Sequence, residues 1–534
     1  MSKTEISGFA GILPSKNSAV IPQATAQIAE NCILWHGDLR SLKAPYPIVT
    51  PPIGSGVMKS IYRIGQGLPE IQYWMHWTDD VDVVRGMING DVSERTLFTG
   101  NGVPKATTLQ MATQGGIYYP VNSYMLGVIT PTQKPILSAS STTAPVEGRA
   151  YLYTYVNTWG EEGSPSPAAT VDVSETGTVE ISGMATAPIG NYAIAYKRIY
   201  RSQNGSSGNG AYLFVAEIPD SQTTFTDDIL SKNLSEPLAT LNFVPPPADM
   251  RGLIAMPNGM MAGFSGQDVC FCEPYTPYAW LPEYQLTTDY PIVGLGVFGS
   301  SLVVCTTGVP YLVSGVHPSA MTMEKIEVEQ ACVSKRSIVS FGSGVMYASP
   351  DGLVYVGTGG TKIATLGLFS RDEWQALSPS TLSGYYYDGK YIGVFSGGGG
   401  FILNSQEDNS FTTFDDMVTA GYSDRITGSL YLAVNNVICK FNAGTPKTYR
   451  WKSKQFQFLA AASPSTARVD ADSYPVTFKL YSDGVLRYTY QVPDEHSFRL
   501  PSGYRPRQLE IEVTGDKPVR LVGIANSPSE LKIG

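Results

Sequence analysis

The stretch GSGVMYASPDGLVYVG (342–357) reads as turn, apolar strand, turn, apolar strand, and it is one of a series. The same unit recurs as PNGMMAGFSGQDVCFC (257–272), FGSSLVVCTTGVPYLVSG (298–315), YDGKYIGVFSGGGGFILN (387–404) and TGSLYLAVNNVICKF (427–441). Taking Gly259, Gly299, Gly344, Gly389 and Gly428 as marks of the first turn gives intervals of 40, 45, 45 and 39 residues. Four strands of ~5–6 residues with their turns fill such a period, which is the size of one propeller blade. Five blades are legible between 248 and 455, and the alternating stretch near 58–125 supplies a sixth. The expected fold is therefore all-β, a six-bladed β-propeller.

Residues 131–247 change character. They open at Thr130-Pro131 and close at Val244-Pro245-Pro246-Pro247, prolines that mark domain edges. Between them 149–159 alternates Tyr151, Tyr153 and Tyr155 on one face, with further strands expected at 195–201, 212–218 and 224–226 and a loop at 204–210. Short strands at this spacing predict a fibronectin type III-like β-sandwich inserted within the propeller. Strands distant in sequence would then close the ring and remove open sheet edges.

Residues 1–45 read as an extended N-terminal arm, because Gly8, Gly11, Pro14 and Pro22 interrupt regular structure; only 23–31 has the composition of a short helix. Residues 46–130 form the first propeller region, with strands at 72–78 and 95–100. Residues 456–534 form a terminal β unit carrying a hairpin at 477–492, turned at Ser482-Asp483-Gly484, and strands at 508–513 and 519–524.

Composition narrows the function classes. Asp, Glu, Lys and Arg make up only 16% of the chain, a surface poor enough in charge to suggest that neighbours cover much of it. A net charge of -9 argues against a basic groove that grips nucleic acid, whereas a mildly negative wall lets a polyanion pass without sticking. The start, 1–7, is polar, and no apolar run approaches the ~20 residues that span a bilayer.

No catalytic or cofactor signature emerges, so the expected sets of catalytic, cofactor-binding and metal-binding residues are empty. Asp79, Asp80 and Asp82 are the right donors for a hard cation but lack the glycine and distal glutamate of a calcium loop, and read as a polar turn. Gly357, Gly359, Gly360 and Lys362 miss the phosphate-loop spacing, and 397–400 lies between apolar strands; both read as turns. With only His36, His76, His317 and His496, each in a separate segment, nucleophilic triads have little to draw on. Ser349-Pro350-Asp351-Gly352 begins like a sialidase repeat and continues as Leu353-Val354. Cys270 and Cys272 lie two apart on one strand face without a second pair, and all six cysteines read as reduced core residues. Tyr385, Tyr386 and Tyr387 fit a subunit interface, a core position or a sugar platform.

Several segments resemble the tail nozzle or hub (lower tail-tube) proteins of short-tailed bacteriophages. They are the arm at 8–45, HWTDDVDVVRGMINGDVSERTLFTGNGVPK (76–105), AYLYTYVNTWGEEGSPSP (150–167), DYPIVGLGVFGSSLVVCTTGVPYLVSGVHP (289–318) and CVSKRSIVSFGSGVMYASPDGLVYV (332–356). The resemblance implies a structural virion protein, assembled in the host cytoplasm into a homo-hexameric ring below the portal and adaptor. Its partners would be those portal-side proteins and the tail fibres or needle, with double-stranded DNA passing through without specific binding. The competing expectation is a receptor-binding tail adhesin that recognises a host-surface glycan.

Overall fold

The computed structural model describes residues 3–88, 90–203, 211–404, 411–458 and 463–531. The loop expected at 204–210 lies outside them. The chain is all-β and propeller-like: small antiparallel sheets follow one another in sequence, with helix confined to short turns. Their innermost strands, in ring order, are Ser60–Arg63, Asp82–Arg85, Arg251–Ala255, Ile292–Phe298, Val339–Ser340, Leu382–Tyr387 and Ala420–Asp424.

A hydrophobic seam lies between each sheet and the next, and the logic is visible along Gly344–Ser349. Val345 and Tyr347 enter the seam toward the preceding sheet, while Met346 and Ala348 enter the one toward the following sheet. A strand buried on both faces has no polar side to show, which is why its sequence is a continuous apolar run. Each such Val, Leu or Phe contributes ~1.5–3 kcal/mol when fully buried. The ring closes where Ile61 and Trp74 pack on Tyr431 and Ile438, and where Tyr62, Met75 and Trp77 pack on Phe98.

Among the described residues, the ring therefore contains seven sheets where the repeat predicts six. The stretch near 58–125 holds two units, not one: a bare hairpin, Ser60–Arg63 with Trp74–Trp77, and a four-stranded sheet beginning at Asp82–Arg85. Its period differs from the other repeats because the hairpin lacks two outer strands. The seventh sheet takes its outermost strand from Tyr46–Val49, which pairs with Val437–Lys440. That pairing ties the beginning of the ring to its end and covers an edge that would otherwise be open.

The stretch between the second and third ring sheets builds a separate sandwich. One layer orders Ile136–Ala139, Val179–Ser182 and Phe225–Asp227; the other orders Ala169–Ser174, Val146–Asn157, Ile194–Gln203 and Ala211–Pro219. Tyr151, Tyr153 and Tyr155 all point into its core, as alternation requires.

One expectation for residues 1–45 is corrected. The predicted helix at 23–31 is instead the strand Ala26–Glu30, and the arm is woven into the C-terminal unit of its own chain. Ala26–Glu30 runs antiparallel to Tyr449–Ser453 and bridges to Thr413, so that the sixth ring sheet continues into the C-terminal sheet. Thr4–Ser7 pairs with Val519–Ala525, and Phe9 meets Trp451 edge-on at 4.9 Å. A nine-residue helix is marginal in water, and two open strand edges offer its backbone a complete set of partners.

Candidate functional site

The inner strands converge on an axis that the chain seals with charge. Gly294 and Gly421 let neighbouring strands come close: a Cβ would lie 2.6 Å from Ile338 Cδ1 at the first and 2.5 Å from Tyr385 Cε1 at the second. What remains is a polar space of about 240 Å³, reached by Asp82, Gly252, Gly294, Ser340, Gly384 and Gly421 from six different sheets.

The turn Lys335–Ser337, which leads into the fifth ring sheet, sends two cations across this space. Lys335 Nζ lies 2.5 Å from Asp82 Oδ2 and 3.3 Å from Asp80 Oδ2. Arg336 pairs with Asp80, lies 3.5 Å from Asp82 Oδ1, and donates to Val81 O at 3.0 Å and Ser60 Oγ at 3.2 Å. Asp82 also accepts from the Gly252 backbone N–H at 3.1 Å. The group links the first, second, third and fifth ring sheets, so it acts as a cross-brace through the axis.

Two carboxylates facing two cations leave no net negative charge for a metal. Of the acidic run, Asp80 and Asp82 belong to this brace, and Asp79 turns away to accept from Asn101 Nδ2 at 2.7 Å. By sequence the run reads as a plain polar turn, and its partners, some 250 residues downstream, give no local signal beyond two adjacent basic residues before a strand. Among the described residues no cluster of three metal-ligating side chains occurs.

The other candidates separate. The 357–360 glycines turn the hairpin between Gly352–Gly357 and Gly360–Ile363, and 397–400 turns the next sheet's hairpin, with Gly398 and Gly399 at positive φ. Asp351 pairs with Arg371 at 3.1 Å and accepts from Gln330 at 2.8 Å. His317 caps the short turn Pro318–Ala320. Cys270 and Cys272 face one seam together, and all six thiols are buried and free. Tyr385 and Tyr387 pack into the seam toward the seventh sheet and Tyr386 into the one toward the fifth, so the tyrosine run serves seams within the chain.

No protein-family model and no curated protein matches the chain. Solved structures give distant likenesses. The extracellular domain of a hybrid two-component system from B. thetaiotaomicron aligns at a TM-score of 0.30 and 9% identity, over 82% of this chain and 43% of that one. BamB from Moraxella catarrhalis aligns at 0.26 and 14% identity, over 54% and 81%, and Sqt1 of Saccharomyces cerevisiae at 0.26 and 9%, over 65% and 92%. This chain thus spans less than half of the first of these structures. The chain's own sheets and seams define an all-β, propeller-like protein. No helix among the described residues is long and apolar enough to cross a membrane.

Proposed function

We propose that this chain is a structural component of a bacteriophage tail, a wall element of a ring-shaped nozzle that extends the DNA channel, retains the genome and lets it pass at ejection. The segments that resemble tail nozzle and hub proteins support the reading. The structural observation behind it is the braced axis. A space of about 240 Å³ crossed by two ion-paired cations cannot admit a duplex whose major groove alone is ~12 Å wide. Any conduit therefore lies between copies, and a net charge of -9 suits a wall along which DNA slides.

In this reading the seven ring sheets are propeller blades, and the inserted sandwich is a fibronectin type III-like platform that contacts the next copy. A closed ring of six copies needs head-to-tail contacts between unlike surfaces. The inserted sandwich offers such a surface, since the described contacts that fasten it to the ring gather at Trp159, Glu161 and Asn191. Portal-side adaptors and fibres or a needle would flank the assembly.

The test is a cryo-electron microscopy map of the virion, alongside light scattering of the purified protein. A ring of copies around the DNA axis supports the proposal. Placement at the outer fibre tips, away from that axis, overturns it.

A further inference from the structure

The hairpin Ser60–Arg63 with Trp74–Trp77 is the two-stranded member of the ring, and the wall is open where outer strands would lie. The connection around Tyr119 crosses part of the gap, with the His76 N–H donating to Tyr119 O at 3.1 Å. A cleft of about 500 Å³ remains. Small-molecule sites usually fall between ~300 and 1,000 Å³ and combine apolar walls with a few convergent polar groups.

This cleft has both. Trp77 and Phe98, with ring centroids 5.5 Å apart, line its apolar side. Tyr118 stands at its rim, 53% exposed. Beside Phe98, whose ring Lys105 Nζ overlies at 6.0 Å, runs an ordered relay: Lys105 Nζ donates to Asn101 Oδ1 at 3.0 Å, and Asn101 Nδ2 donates to Asp79 Oδ2 at 2.7 Å. An ammonium has three donors and a carboxylate two oxygens, so each end of the relay keeps capacity for a ligand. A pair of adjacent hydroxyls, each both donor and acceptor, matches that combination of cation, amide and carboxylate. One carboxylate and one ammonium cancel, so the cleft has no excess positive charge with which to select an anion.

We propose that this cleft binds a neutral pyranose of a surface glycan, stacked on Tyr118 and hydrogen-bonded through a vicinal diol to Asp79, Asn101 and Lys105. Amphipathic aromatic rings suit the apolar face of a sugar, and the relay pre-orients the polar groups. The site is independent of the nozzle reading, since a ring subunit and an adhesin could both carry it.

The test is titration of the full chain with the methyl pyranosides of glucose, galactose, mannose and rhamnose, with N-acetylneuraminic acid and inorganic phosphate as anionic arms. Calorimetry and intrinsic tryptophan fluorescence, to which Trp77 in the cleft contributes, give two readouts. Saturable binding of at least one neutral glycoside is expected, weakened about tenfold or more by Tyr118→Ala and by Asp79→Asn. Tyr118 is largely exposed, so the first variant keeps its fold, which thermal melting verifies. No saturable binding of any neutral probe overturns the proposal. So does binding that both variants leave unchanged, or a preference for either anion.

Discussion

Trp159 of the inserted sandwich lies against Tyr124 of the second ring sheet, with ring centroids 4.2 Å apart and planes inclined by 21°. Beside this stack Arg95 pairs with Glu161 and lies 6.0 Å over the indole, and the Met125 N–H donates to Asn191 O at 2.8 Å. Burial pushes the Glu161 carboxyl up, an effect that Arg95 and Asn157 only partly offset. The contacts lie close to the points where the chain leaves and re-enters the ring, so they set the angle of the sandwich. Trp159→Ala should cost about 2 kcal/mol, part from the lost stack and part from the area uncovered. Urea unfolding measures the loss, and limited proteolysis should show faster cutting near 126–135 and 240–250.

The axial brace should behave as a network and not as isolated pairs. Asp82 and Lys335 keep 17% and 21% of their side-chain surface, enough for water to screen them. A double-mutant cycle on Asp82→Ala and Lys335→Ala should give a coupling of about 1 kcal/mol that shrinks as salt is raised. A coupling of zero at low salt would mean the brace contributes nothing to ring closure.

Glu512 is a fully buried anion of the C-terminal unit. It accepts from Arg450 at 3.1 Å, Lys479 at 2.8 Å and the Tyr481 hydroxyl at 3.0 Å. Burial alone raises its pKa, but these bonds outweigh burial and hold it below the ordinary carboxylate value. A carboxylate depressed in the folded state stabilises above its unfolded pKa of ~4.3, and that stability is lost as pH falls through the folded value. Glu512→Gln should therefore cost about 3 kcal/mol at neutral pH and progressively less as pH drops below ~4. Chemical denaturation at several pH values, wild type against variant, measures the convergence.

The six cysteines should be silent in the folded protein. Burial pushes the Cys270 and Cys272 thiols up to about 12 and Cys439 up to about 11, so almost no thiolate exists near neutrality. Ellman's reagent should find no reactive thiol in native protein and six after unfolding in denaturant. Rapid reaction of one or more native thiols would mean that a ring seam opens on the time scale of the assay.

Local pattern already contained the all-β class, the repeating unit of 342–357, the alternation of Tyr151, Tyr153 and Tyr155, and the hairpin turned at Asp483-Gly484. These depend on side-chain period and on residues that accept positive φ, both written in neighbouring positions. Three features depended instead on which edges and charges meet across hundreds of residues. Ala26–Glu30 became a strand because open edges of two sheets lay on either side of it. The stretch near 58–125 became two ring members because each face of its hairpin found an apolar sheet to cover. Asp80 and Asp82 became a brace because Lys335 and Arg336 arrived from another sheet. Backbone edges and buried charges must find partners somewhere, but sequence alone does not say where, because the closing of the ring selects the partner.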